Sequence, residues 1–168
     1  MHSKQDNQSL EMFLYNILSS RNEKISVAES CTGGLLAATI INVPGASSII
    51  DEAFITYANE AKIKRLKVSV ETLLTYGAVS SQCVEEMAEN LHKLTLSDLA
   101  VSVSGIAGPT GETYDKPVGT VWVGIYYHNQ IYSFKNLFKG DRLTVRLEAT
   151  RFALRSEEHT SELQSRQS

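Results

Sequence analysis

Cysteine, proline and tryptophan are all scarce in this chain: two, three and one among 168 residues. Two thiols, Cys31 and Cys83, are too few for a disulfide framework or an all-cysteine zinc centre, so reduced side chains are expected. Histidine is sparse too: of four, His159 falls in the last fourteen residues, and His2, His92 and His128 stand apart, without the His-Glu spacing of a zinc site, so no metal is expected. No apolar run approaches the roughly 20 residues of a membrane span, and MHSKQDNQSL lacks the apolar stretch of a secretion signal. A cytoplasmic chain is the expectation. Positive charge is not in excess either. Sixteen Lys and Arg against nineteen Asp and Glu leave a net charge of −3, which supplies no general attraction to nucleic acid or anionic membrane. What remains is a small-molecule partner.

What is present is 42% hydrophobic residues, enough for one full core. QSLEMFLYNILSSR has apolar residues at helical spacing, KISVA reads as a buried strand, and LLAATIINV as a helix closed by Pro44 and Gly45. AFITYA reads as a second strand, followed by a short helix through EAKIKRL that Asn59 can cap. SSQCVEEMAENLHKL is a serine-capped helix with Val84, Met87, Ala88, Leu91 and Leu94 along one face. LAVSVS is a further buried strand. TVWVGIYY and IYSFKNLF flank HNQ as a hairpin, and GDR leads into a last helix. The expectation is an α/β fold in three layers, α/β/α, around a mixed and mainly parallel sheet. The domain is placed at 1–154. From 155 to 168 apolar periodicity stops, and RSEEHTSELQS resembles the in-frame translation of a sequencing adaptor. That segment is read as foreign to the domain, and a disordered tail is expected.

Two loops draw attention. At AESCTGG a strand turns into a helix, and helix-end amides with their partial positive charge attract anions. Gly33 and Gly34 leave those amides open to a ligand. Three readings fit: a phosphate-binding end, an oxyanion hole beside a nucleophile at Ser30 or Cys31, or a tight turn capped by Thr32. GIAGPTGE is the second loop, without the ending of a P-loop or the spacing of a dinucleotide fingerprint. Both follow strand C-termini, where open α/β sheets place ligands. A histidine-based triad is poorly supplied, so a base must come from elsewhere. TYANEAKIKRL offers Tyr57, Glu60, Lys62, Lys64 and Arg65. A lysine held neutral by burial can activate a serine, and Lys62 is the best placed; solvated surface charge is the alternative for each.

AESCTGG, FITYANEAK, GAVS, VSVSGIAGPTG and KPVGTVW resemble, in order and spacing, the CinA carboxy-terminal domain family across residues 10–154. The resemblance implies a stand-alone nicotinamide-nucleotide amidase. Such an enzyme hydrolyses the carboxamide of nicotinamide mononucleotide to nicotinate mononucleotide and ammonia, with no metal or organic cofactor. It implies Ser30 as nucleophile and Lys62 as base, with Tyr57 beside them. Glu29, Thr32, Gly33, Gly34 and Asn59 are expected around them, the amides near Thr32 to Gly34 holding the oxyanion. Ser104, Gly105, Ile106, Ala107 and Gly108 are expected on the ribose and phosphate side, and Lys116, Arg142 and Arg146 are basic positions within reach of phosphate. Cys31 as nucleophile, or a non-catalytic nucleotide-binding or competence-related module, are the alternatives. A homodimer is compatible with the family.

Overall fold

The computed structural model describes residues 8–165. Ser9 opens α1 (Leu10–Arg21) by accepting from the Met12 amide, and Asn22 ends it in the left-handed region at φ 53°. β1 (Ile25–Glu29) is buried along its whole length. It leads through the turn 30–34 into α2 (Leu35–Ile41) and then β2 (Ile50–Ile55). α3 (Asn59–Leu66), α4 (Val70–Thr75) and α5 (Ser81–Thr95) precede β3 (Leu99–Gly105). β4 (Thr120–Tyr127), β5 (Gln130–Leu137) and α6 (Arg142–Ser165) complete the chain. The β4–β5 connection is the two-residue turn His128-Asn129. Both residues have positive φ, at 48° and 62°, the twist-compatible geometry for a tight hairpin.

Five strands form one sheet in the order β2-β1-β3-β4-β5. β1 pairs in parallel with β2 and β3, while β3–β4 and β4–β5 are antiparallel. The sheet is mixed as expected, with the two kinds of pairing equal in number instead of mainly parallel. Side chains alternate between faces. Val27, Val101 and Val103 pack with Leu14, Leu18, Leu36, Ile40, Val145 and Ala149 from α1, α2 and α6. Ala28 and Ala100 face the other way, onto Leu66, Cys83, Met87 and Leu91 from α3 and α5. Helices therefore cover both faces. α5 lies so close to the sheet that a Cβ at Gly124 would stand 2.2 Å from the Val84 carbonyl oxygen.

Four local expectations are corrected. β2 begins at Ile50, three residues earlier than read, because this edge strand exposes Asp51 and Glu52 and shows little apolar alternation. Asn59 is the first residue of α3, and Ala58 occupies the cap without a side-chain bond. α4 was not expected; Ser69 caps it by accepting from the Thr72 amide. α6 does not stop at residue 154. It continues to Ser165, with Ser156, Glu157 and Thr160 buried, where disorder was expected. Extending an existing helix needs no new nucleus, and the hydroxyls of Ser156 and Thr160 bond back to the carbonyls of Phe152 and Ser156. Residues 166–168 of the expected tail lie outside the described residues.

Candidate active site

β1 ends beside β3, and the Ser30 amide donates to the Val103 carbonyl at 3.0 Å. Because side chains alternate, Ser30 follows Ala28 toward α3 and α5, while Cys31 joins the core on the opposite face. The chain then turns through Gly33 and Gly34, at φ 58° and 104°. Gly33 donates to the Ser30 carbonyl at 3.0 Å. Its missing side chain matters twice, since a Cβ there would also meet an Arg146 guanidinium nitrogen at 3.2 Å.

The end of α2 does not take an external anion. Glu29, 1% exposed, places Oε1 2.8 Å from the Leu36 amide and Oε2 3.0 Å from the Ala37 amide. The carboxylate thus satisfies the helix end from within. Gly33, Gly34 and Thr32 do not line the adjoining cavity. Of the amides expected to hold an oxyanion, that of Gly33 is engaged within the turn. Thr32 is fully buried, and Gly34, not Thr32, occupies the cap of α2.

Lys62 enters from the first turn of α3. Its Nζ donates to Ser30 Oγ at 3.0 Å, to the Thr56 carbonyl at 2.9 Å and to the Tyr57 carbonyl at 3.0 Å. The residue is 1% exposed, and burial pushes its ammonium pKa below the ordinary 10.5. A neutral amine has two N–H groups and one lone pair. With both carbonyls accepting, the neutral amine would turn its lone pair to Ser30 Oγ, whose hydroxyl otherwise donates to the Tyr57 carbonyl at 3.4 Å. Burial acts oppositely on Cys31, whose thiol is pushed up to about 11, so it is protonated at neutral pH.

The pair lies at the base of a cavity of about 270 Å³. Cys31, Tyr57, Asn59, Arg142 and the loop from Ser104 to Gly108 line it, with Ala78, Val79, Thr110 and Gly111 completing the wall. The last four were absent from the sequence reading; the GAVS and GPTG motifs held them, but small side chains give no chemical signal. Arg142 donates to the Gly108 carbonyl at 2.7 Å and to the Tyr57 hydroxyl at 2.8 Å. Arg146 is elsewhere, beneath the turn, donating to the Cys31 and Thr32 carbonyls. Lys116 faces a neighbouring cavity beside Trp122 and Lys135 and donates to the Tyr76 carbonyl. Of the three expected phosphate contacts, only Arg142 lines the cavity beside Ser30. Among the described residues, no group of three or more His, Cys, Asp and Glu could hold a metal ion, and no helix is long and apolar enough to cross a membrane.

Fold and site together define a three-layer α/β domain with a serine and a buried lysine in contact at the C-terminal end of a parallel strand pair. The chain belongs to the CinA C-terminal domain family, whose model matches residues 7–160. A protein from Caldicellulosiruptor saccharolyticus, named as competence-damage inducible, is 51% identical over 149 residues, covering 89% of this chain and 36% of that protein. A CinA-like protein of Petrotoga mobilis is 47% identical over 146 residues, 87% of this chain and again 36% of its own length. The chain thus spans little more than a third of these curated relatives. Solved structures match over nearly their full length. Competence damage-inducible protein A from Klebsiella pneumoniae superposes with a TM-score of 0.86 at 37% identity, covering 91% of this chain and 93% of that one. A CinA superfamily protein from Escherichia coli gives 0.86 at 32% identity, covering 98% and 93%.

Proposed function

We propose that this domain is a Ser-Lys amidase that hydrolyses the carboxamide of nicotinamide mononucleotide to nicotinate mononucleotide and ammonia. The observation that carries the reading is the Lys62–Ser30 contact: a buried amine nitrogen 3.0 Å from the serine Oγ, its two other partners being backbone carbonyls. Lys62 takes the Ser30 proton as Oγ bonds to the carboxamide carbon. The C=O π pair moves onto oxygen. Collapse of this adduct breaks the C–N bond, and Lys62 returns the proton to nitrogen, so ammonia leaves and an acyl-Ser30 ester remains. Water, activated by the again neutral Lys62, attacks the ester and releases the carboxylate and Ser30. The cavity is of a size for a mononucleotide, and Arg142 at its side supplies a cation for the phosphate.

A cysteine nucleophile is less well supported, because Cys31, although it borders the cavity, is 5% exposed, packs with the core cluster and has its thiol held protonated by burial. The deciding experiment is ammonia release from nicotinamide mononucleotide by the wild type and by Ser30→Ala, Lys62→Arg and Cys31→Ala. The reading requires activity in the wild type and Cys31→Ala and its loss, by roughly 10³-fold or more, in the other two. No ammonia from folded wild type would leave a binding module.

A further inference from the structure

Ser104 is the next residue in register beside Ser30. Ala28 lies opposite Ser102 and Glu29 opposite Val103 in the parallel β1–β3 pair, so the Ser30 position continues onto Ser104. Registered neighbours in a parallel pair point to the same face, about 4.8 Å apart. The face is set independently by Ser102, whose Oγ donates to the Val84 carbonyl of α5 at 2.6 Å. Two residues on, Ser104 points the same way and lines the cavity.

Ser102 uses its hydroxyl to tie the sheet to a helix; Ser104 does not. Ser104 is 1% exposed, yet its Oγ makes no hydrogen bond among the described residues, and it borders the cavity. A hydroxyl left unpaired next to a nucleophile carries an unmet donor that a ligand can satisfy. The sheet order adds direction. Lys62 reaches Ser30 from the β2 side, where its amine is held by the carbonyls of Thr56 and Tyr57, and Ser104 stands on the β3 side. In an adduct on Ser30 Oγ the leaving nitrogen must face Lys62, the group that returns its proton. The carbonyl oxygen then projects away from Lys62, toward Ser104.

We infer that Ser104 is a further catalytic residue: its Oγ–H donates to the substrate's carbonyl oxygen and holds the oxyanion as Ser30 attacks. It adds a side-chain donor on the β3 side of Ser30; the amides of Gly33, Leu36 and Ala37 are already engaged. The inference rests on the amidase reading above, and the substrate class it selects is a planar carboxamide.

The test is steady-state ammonia release from nicotinamide mononucleotide by the wild type, Ser104→Ala and Ser104→Thr, with thermal melting of each. Ser104→Ala is expected to lose on the order of 10²-fold in kcat with KM nearly unchanged, since the bond strengthens only as charge develops. Ser104→Thr keeps a hydroxyl and should recover most of that loss. If the wild type is active and Ser104→Ala matches its kcat, this assignment falls while the amidase reading stands. Equal losses in Ser104→Ala and Ser104→Thr would make the residue a packing element and overturn the assignment as well. A folded wild type that releases no ammonia removes both.

Discussion

Arg146 holds Cys31 by its backbone: Nε donates to the Cys31 carbonyl at 2.9 Å, and Nη2 donates to the Thr32 carbonyl at 3.1 Å. One guanidinium on α6 therefore braces the turn that carries Ser30, and Gly33 leaves the room for it. Arg146→Gln removes a planar fork that glutamine cannot reproduce. The expected result is a fall in kcat with KM for the nucleotide little changed, together with a lower melting temperature. Loss of charge-assisted bonds worth about 1.5–3 kcal/mol corresponds, at about 2–4 °C per kcal/mol, to several degrees. Kinetics and a thermal scan on the same preparation check both parts.

Arg142 should behave in the opposite way. It lies in the cavity wall, bonded to Gly108 and Tyr57, with further N–H groups free to meet an anion. Arg142→Gln is expected to raise KM for nicotinamide mononucleotide by roughly tenfold or more while leaving most of kcat. The dephosphorylated riboside is the control: its KM should not respond to the substitution.

The Lys62 pair predicts a pH dependence with a definite sign. Burial holds its ammonium pKa below 10.5, and only the neutral amine can accept the Ser30 proton. Activity should rise with pH through a limb whose midpoint lies below 10.5. Stability changes in the same direction. Between the folded and unfolded pKa values the unfolded chain binds more protons, so stability increases as pH rises across that window. A kcat/KM profile with no rising limb anywhere below pH 10.5 while the protein stays folded would exclude Lys62 as the base.

How much of this could be seen in the sequence depends on how local the cause is. The serine cap of α5 and the buried run of β1 rest on neighbouring residues, and both were legible. β2 was misplaced because an edge strand with exposed acids carries no clean alternation. In the site, Ser30 and Lys62 were named through motif resemblance; no spacing rule connects residues 32 apart, and only the packing of α3 brings them to 3.0 Å. Glu29 was expected near the reacting atoms, and its bond to the α2 amides depends on a turn geometry that composition does not encode. Arg146 and Arg142 read alike as basic residues, and the helix face that each occupies decides between brace and cavity wall.

Cys31→Ala should keep most activity and lose about 1–2 kcal/mol of stability, the usual scale for trimming a small buried group. Iodoacetamide should modify Cys31 slowly, since the thiol is pushed up to about 11. Rapid inactivation by the reagent would contradict the placement of that side chain.

Glu157 is the least comfortable residue in α6. It is fully buried with both carboxylate oxygens unpartnered, and burial together with the charge of Glu29 holds its pKa well above the ordinary range. A polar residue carried on a helix whose face is covered leaves this signature. Above pH 4.5 the unfolded glutamate ionises while the folded one stays protonated, so its contribution to stability falls as pH rises. Glu157→Gln should therefore melt above the parent at pH 7, by about 2–4 °C for each kcal/mol relieved. The gap should close below pH 4.5. A variant no more stable than the parent at pH 7 would show that this carboxylate carries no penalty.

The three oxygens around Lys62 have one more consequence. Before Ser30 loses its proton, the amine gives two N–H groups to the Thr56 and Tyr57 carbonyls and receives the third bond from Ser30; afterwards the ammonium gives all three. Both charge states fit the same heavy-atom positions. Once the Ser30 O–H turns from the Tyr57 carbonyl, 3.4 Å away, the proton can cross between Oγ and Nζ with no heavy atom moving, so most of the reorganisation that solvent would impose on such a transfer has already been completed by folding.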